Sequence, residues 1–175
     1  ASAVDEVLPV VLASGKPAVW GTTGYVWPNN LAQKIKAHQT RWVIAPNYSL
    51  SMILTKQAIA AFRPAKTLLP SPIFTIKETH HIHKIDQPSG TALDWQKTLG
   101  QPVSFNSTRQ GDVVGQHCLN IETQFESIQI KHIAKDRSLF AQGALWAAKQ
   151  LISEPLDTGL LSLEDLINAS IKTRS

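Results

Sequence analysis

The sequence predicts an α/β protein, with a parallel strand-and-helix layer, a β-rich second region and two closing helices. Three observations carry this reading. Early in the chain, short apolar runs that end in Gly-Thr and Pro-Asn turns alternate with stretches of helical spacing. After the prolines at 64, 70 and 72 the pattern changes to a series of strands, and towards the end helical spacing returns. With 43% hydrophobic and 17% charged residues over 175 positions, the composition is that of a folded chain large enough to bury a core, which excludes a disordered chain or a disulfide miniature.

Taken in order, V-D-E-V-L-P-V-V-L-A-S-G-K places Val4, Val7, Leu8 and Val11 at helical spacing and stops at Gly15. P-A-V-W-G-T-T-G then reads as a strand and a turn, and W-P-N-N-L-A-Q-K-I-K offers Asn caps before an amphipathic helix. Arg41 to Ala45 repeats the apolar run, P-N-Y-S turns, and helical spacing runs from Leu50 to about Phe62. I-F-T-I-K-E, P-V-S-F-N-S, H-C-L-N-I-E and S-I-Q-I-K-H read as strands, interrupted by one short helix, in a region that runs to about residue 136. S-L-F-A-Q-G-A-L-W-A-A-K-Q-L-I and S-L-E-D-L-I-N-A close the chain as helices.

Pro, Gly and Asn break every uncharged stretch before it reaches a membrane span or a signal-peptide core, so the expectation is a soluble protein without a membrane partner. Cys118 is the only cysteine, which excludes an intrachain disulfide and a cysteine metal cluster and suits a reducing cytoplasm. The net charge of +4 is unevenly spread: no acidic residue stands from Val7 to Lys77, where eight Lys and Arg lie. An anionic partner, a small phosphorylated or carboxylated molecule or a nucleic acid, accounts for such a stretch, as does a plain solvated basic surface. Nucleic acid is disfavoured because the lysines stand singly and no zinc-finger, helix-turn-helix or RNA-stacking signature accompanies them.

Chemistry concentrates in E-T-H-H-I-H-K-I-D-Q-P-S-G-T, residues 78–91, which holds three of the six histidines. On extended backbone His80, Ile82 and Lys84 share one face, so that a proton donor lies beside a cation, and His81 and His83 share the other. A metal held by His81 and His83 is the rival, with nothing nearby to complete its coordination, and surface histidines at a strand end are a third reading. Pro88-Ser89-Gly90-Thr91 leads into a helix whose first N–H groups, with the hydroxyls of Ser89 and Thr91, can converge on a carboxylate, or form an ordinary cap. Gly21-Thr22-Thr23-Gly24 and Ala45-Pro46-Asn47-Tyr48-Ser49 follow parallel-type strands, where α/β sheets bind ligands.

With G-T-T-G-Y, A-P-N-Y-S, E-T-H-H-I-H-K-I-D-Q-P-S-G-T-A, R-Q-G-D-V-V-G-Q-H and H-I-A-K-D-R-S-L-F-A-Q-G-A-L-W-A-A in this order, the chain resembles the 4-hydroxy-tetrahydrodipicolinate (dihydrodipicolinate) reductases from about Val4 to Ile167. The resemblance implies a partial Rossmann-type parallel sheet plus an α+β substrate domain with a mixed sheet. Residues 1–50 and 137–175 would be the remnant of the dinucleotide-binding domain, and 51–136 the substrate-binding and oligomerisation domain. It implies that His80 is the general acid and Lys84 a second proton donor, while His81, Ser89, Gly90 and Thr91 hold the carboxylates of a cyclic imine dicarboxylate. Gly21, Thr22, Thr23, Ala45, Pro46, Asn47 and Tyr48 would line the nicotinamide end of NADPH or NADH, which carries the hydride in lysine and diaminopimelate biosynthesis. A homo-oligomer, a tetramer by the family, is implied as well.

The chain departs from the family in three places. It starts after the glycine-rich pyrophosphate loop, it has Ser51-Met52-Ile53 where the family has Gly-Val-Asn, and the segment between Leu99 and Arg109 is short. Ala18 to Gly21 should therefore form an edge whose partner strands precede Ala1, and the nucleotide should bind weakly. The alternative to a reductase is a non-catalytic dicarboxylate-binding relic of the family.

Overall fold

The computed structural model describes residues 1–172. Its elements are α1 (Val4–Ala13), β1 (Ala18–Trp20), α2 (Leu31–Ala37), β2 (Arg41–Ile44), α3 (Leu50–Ala60), α4 (Ala65–Leu68), β3 (Ile73–His80), α5 (Gly90–Leu99), β4 (Ser104–Arg109), β5 (Gly115–Glu122), β6 (Ser127–Ala134), α6 (Ser138–Ser153), β7 (Gly159–Leu161) and α7 (Leu163–Lys172). They form two compact units, one made of Ala1–Ser49 with the segment from Ser138 onward, the other of Leu50–Arg137.

The first unit is a three-stranded parallel sheet in the order β1-β2-β7. Central β2 has neighbours on both sides, and its Trp42 and Val43 are fully buried, as an apolar parallel strand requires. The pairing of β1 with β2, from Ala18↔Trp42 to Trp20↔Ile44, is the parallel arrangement that the alternating strand and helix predict. The β7 pairing, Arg41↔Gly159 to Val43↔Leu161, has no counterpart in the sequence reading, because three residues are too few to show a period. β1 is an edge strand of this sheet.

The inward face of α1 is Val4, Leu8 and Leu12, whereas Val7, expected on that face, is 43% exposed. This stripe packs with Leu31, Ile35 and Trp42, and Trp20, Tyr25 and Trp27 close round it. Trp27 stands edge-on to Trp20 and to Tyr25, with ring centroids 5.5 and 5.0 Å apart, the offset geometry that aromatic quadrupoles favour.

The second unit is a mixed sheet in the order β4-β3-β5-β6, in which β3 runs parallel to β4 and antiparallel to β5. Side chains alternate along β3, so Phe74, Ile76, Glu78 and His80 are buried on one face. The register sets Phe105, Ile76, Leu119 and Ile130 in one row across that face. These rows pack against Met52, Ile59, Ala92, Trp95 and Leu99 from α3 and α5. Trp95 is fully buried and its indole N–H donates to Sδ of Met52 at 3.2 Å. Among the described residues, no helix is long and apolar enough to cross a membrane.

Candidate functional site

One step further along the sheet the inward row turns polar: Ser107, Glu78, His117 and His132 stand opposite one another where apolar side chains stood in the row before. Glu78 is 1% exposed. A carboxylate at that depth needs partners, and it has them: Nδ1 of His80 bonds to Oε2, and Nη1 of Arg109 lies 3.0 and 3.1 Å from the two oxygens. Burial pushes the Glu78 carboxyl up, yet hydrogen bonds from Ser107, His80 and Arg109 together hold it below its ordinary value. Burial draws His80 below the usual histidine range, and the Glu78 carboxylate opposes this.

His117 sits beside His80, edge to face, with ring centroids 5.0 Å apart. Its Nε2 is 3.1 Å from the hydroxyl of Ser89, its Nδ1 has no hydrogen-bond partner, and burial pushes it down to about 3, so the ring is neutral. Nitrogen and oxygen atoms of Glu78, His80 and His117 lie within 4.8 Å of one another, close enough to hold a small cation, although the Arg109 guanidinium already neutralises the carboxylate.

The expected alternation beyond His80 does not occur. β3 ends at His80, and residues 81–85 leave the strand, with the amide of Lys84 donating to the carbonyl of His81 at 3.1 Å. Lys84 thus does not share a strand face with His80; its Nζ pairs with Asp86 Oδ1 at 2.7 Å. The amide of Gln110 gives the carbonyl of His80 the last bond of the parallel ladder, and beyond it the amide of Ile82 takes the carbonyl of Gly111 while the chain turns through the Lys84-to-His81 bond. His81 and His83 come within 6.2 Å, ring to ring, and Nε2 of His81 is 3.4 Å from Arg137 Nη2.

Asp86 answers for the helix start as well. Its Oδ2 accepts the amide of Gly90 at 3.2 Å, and Ser89 Oγ accepts that of Ala92 at 3.3 Å, so two of the first amides of α5 already have partners. The Asp86 carboxylate therefore sits between the Lys84 ammonium and a helix-start amide, and the Lys84 hydrogen bond holds its carboxyl below the ordinary range. The Gln87–Pro88 peptide preceding this turn is cis.

In the first unit, Gly21, Thr22 and Thr23 follow β1, and Ala45, Pro46, Asn47 and Tyr48 follow β2. Gly21, Pro46, Asn47, Tyr48 and Ala144 line a cavity of about 380 Å³; Thr22, Thr23 and Ala45 are not among its lining residues. The Tyr48 hydroxyl is shared between the carbonyls of Trp20, at 2.9 Å, and Val43, at 3.1 Å, and burial raises it to about 12. A Cβ on Gly21 would lie 3.6 Å from the Tyr48 ring, in ordinary van der Waals contact.

Glu78, Arg109, His117 and Asp86 received no role from the sequence. One signal was there: an acidic residue at an inward position of β3, between Ile76 and His80, implies buried partners. Which partners these are depends on a register that brings Arg109 and His117 from strands distant in sequence.

A family model described as "Dihydrodipicolinate reductase, C-terminus" matches residues 50–167. Over 168 residues the chain is 38% identical to a 4-hydroxy-tetrahydrodipicolinate reductase of Xanthomonas axonopodis pv. citri, covering 92% of this chain and 67% of that protein. A reductase of the same name from Alkaliphilus metalliredigens is 32% identical over 187 residues, covering 95% and 76%. Among solved structures, a dipicolinate-bound dihydrodipicolinate reductase from Paenisporosarcina sp. TG-14 shares the fold, with a TM-score of 0.70 and 19% identity over 92% of this chain and 68% of that one.

Proposed function

The chain belongs to the 4-hydroxy-tetrahydrodipicolinate (dihydrodipicolinate) reductase family, and from that premise we propose that it takes part in the nucleotide-dependent reduction of a cyclic imine dicarboxylate to tetrahydrodipicolinate. The observation that carries the reading is the Asp86 carboxylate held between Nζ of Lys84 and the amide of Gly90, a few residues from the buried His80. A loop that gathers an ammonium and a helix-start amide around one carboxylate has the donors to receive another.

In this reading Gly90, Thr91, Ser89 and His81 orient the ligand's carboxylates, and Lys84 exchanges Asp86 for the ligand. Lys84 then stabilises negative charge and supplies a proton, while His80 serves as the acid. A nicotinamide supplies the hydride when bound. The cavity beside Gly21, Asn47 and Tyr48 suits a planar, largely uncharged ring of that size. Residues 1–50 and 137–175 then serve the nucleotide, and 51–136 serve the substrate and the assembly of a homo-oligomer. NADPH and NADH both remain candidates.

Titration calorimetry with dipicolinate tests the site: heat of binding that shrinks as salt is added is expected, and no heat at millimolar ligand overturns the reading. NADPH titration then separates a reductase from the non-catalytic relic, which binds the dicarboxylate without the nucleotide.

A further inference from the structure

We propose that Arg109 is a positioning residue for both proton donors: through Glu78 it holds His80 as the Nδ1–H tautomer, leaving Nε2 to exchange the proton, and through backbone carbonyls it fixes the loop that carries Lys84. The inference rests on the reductase reading of this site.

An ionised carboxylate only accepts hydrogen bonds, so a His80 ring engaged with Glu78 through Nδ1 carries a hydrogen there whether the ring is neutral or charged. Nε2 is then the one nitrogen that gains or loses a proton. Space is kept against it by Gly115, where a Cβ atom would lie 3.1 Å from Nε2. Hydrogen bonds from Ser107, His80 and Arg109 keep Glu78 ionised at this depth, and of these three Arg109 is the one that brings a permanent positive charge, to both oxygens. Were that guanidinium lost, burial would favour the protonated acid, which can donate to Nδ1 and reverse the tautomer.

The rest of the guanidinium faces the loop. Nε donates to the carbonyl of Lys84 at 3.0 Å, and Nη2 donates to the carbonyl of Asp86. One planar fork thus grips a side chain at the end of β3 and two carbonyls of the segment that follows it. The ladder makes this possible by pairing Arg109 with His80 across β3 and β4. A lysine would keep the charge but could not span three acceptors held in different directions.

The test is histidine ¹⁵N NMR of the full 175-residue chain, read together with dipicolinate titration. In the wild type, neutral His80 is expected to show a protonated Nδ1 and a bare Nε2. In Arg109→Lys a mixture of tautomers is expected, with dipicolinate bound about tenfold more weakly. In Glu78→Gln, loss of the carboxylate that stabilises the imidazolium should lower the His80 pKa further. A wild-type His80 protonated at Nε2 overturns the proposal, as does a folded Arg109→Lys that keeps both tautomer and affinity. If neither variant folds, the wild-type spectrum decides alone. A wild type with the Nδ1–H tautomer that binds no dipicolinate supports the positioning of His80 and overturns the reductase reading by itself.

Discussion

The hydroxyl of Ser89 lies 3.1 Å from Nε2 of His117 while its oxygen accepts the amide of Ala92, so one buried side chain both caps α5 and ties the helix start to β5. Ser89→Ala removes a cap worth about 1 kcal/mol and leaves a buried imidazole nitrogen unpaired at a cost of about 1–3 kcal/mol. Urea unfolding should register a loss of about 2–4 kcal/mol. A loss too small to measure would show that the contact contributes nothing.

Stability should fall on the acid side, with His117 as a main cause. Its folded value, about 3, lies below the ordinary 6.5, so the unfolded chain binds the proton more tightly. Its contribution is whole above about pH 6.5 and is lost as the pH falls towards 3, by at most about 1.4 kcal/mol per pH unit. His80 and His132 shift in the same direction. Glu78, held below its ordinary value of 4.5, adds a loss that begins as the pH falls below about 4.5. Denaturation curves between pH 7 and 4 should show a shallower decline for His117→Gln, and an unchanged slope would remove this histidine as the cause.

At Gly143, on α6, an added Cβ would lie 1.7 Å from the carbonyl oxygen of Tyr48. Alanine is ordinarily the better helix former by about 1 kcal/mol, but here the obstacle is backbone and cannot swing aside. Gly143→Ala should destabilise by about 3 kcal/mol or more, read as a lowered melting temperature. Unchanged melting would mean that α6 packs farther from the loop after β2.

For hydride transfer, assayed with nucleotide and substrate, Lys84→Ala and His80→Ala should each lower turnover by about 10²- to 10⁴-fold. Thr91→Val should act chiefly on KM. Gly115→Ala should resemble the histidine variant in milder form, because its methyl would crowd Nε2 of His80 at 3.1 Å. Wild-type turnover in Lys84→Ala would contradict the assigned role.

Since the Asp86 carboxylate occupies Lys84 and the amide of Gly90, it competes with a ligand carboxylate for the same donors. Asp86→Asn should tighten dipicolinate binding several-fold in calorimetry and make it more sensitive to salt. Weaker binding in a folded variant would instead make Asp86 part of the scaffold that holds the donors in place.

Periodicity in the sequence is enough to place α1 as a helix, though not every residue of its inward face, the strands that begin at Arg41 and Ile73, and the long helix from Ser138. In such segments local spacing and burial point to the same structure. The sequence by itself also determined the family, because the run from Glu78 to Ala92 is contiguous and needs no folding to be read. Tertiary structure alone decided the pairings. β7 is three residues long and becomes a strand only because β2 offers it an edge. Lys84 parts from His80 because the ladder ends at His80 and the chain turns, with the amide of Lys84 bonding back to the carbonyl of His81, where sequence alternation suggested continuation. Glu78, Arg109 and His117 meet through a register across three strands. A buried charge announces that it needs a partner, but long-range pairing decides which one it gets.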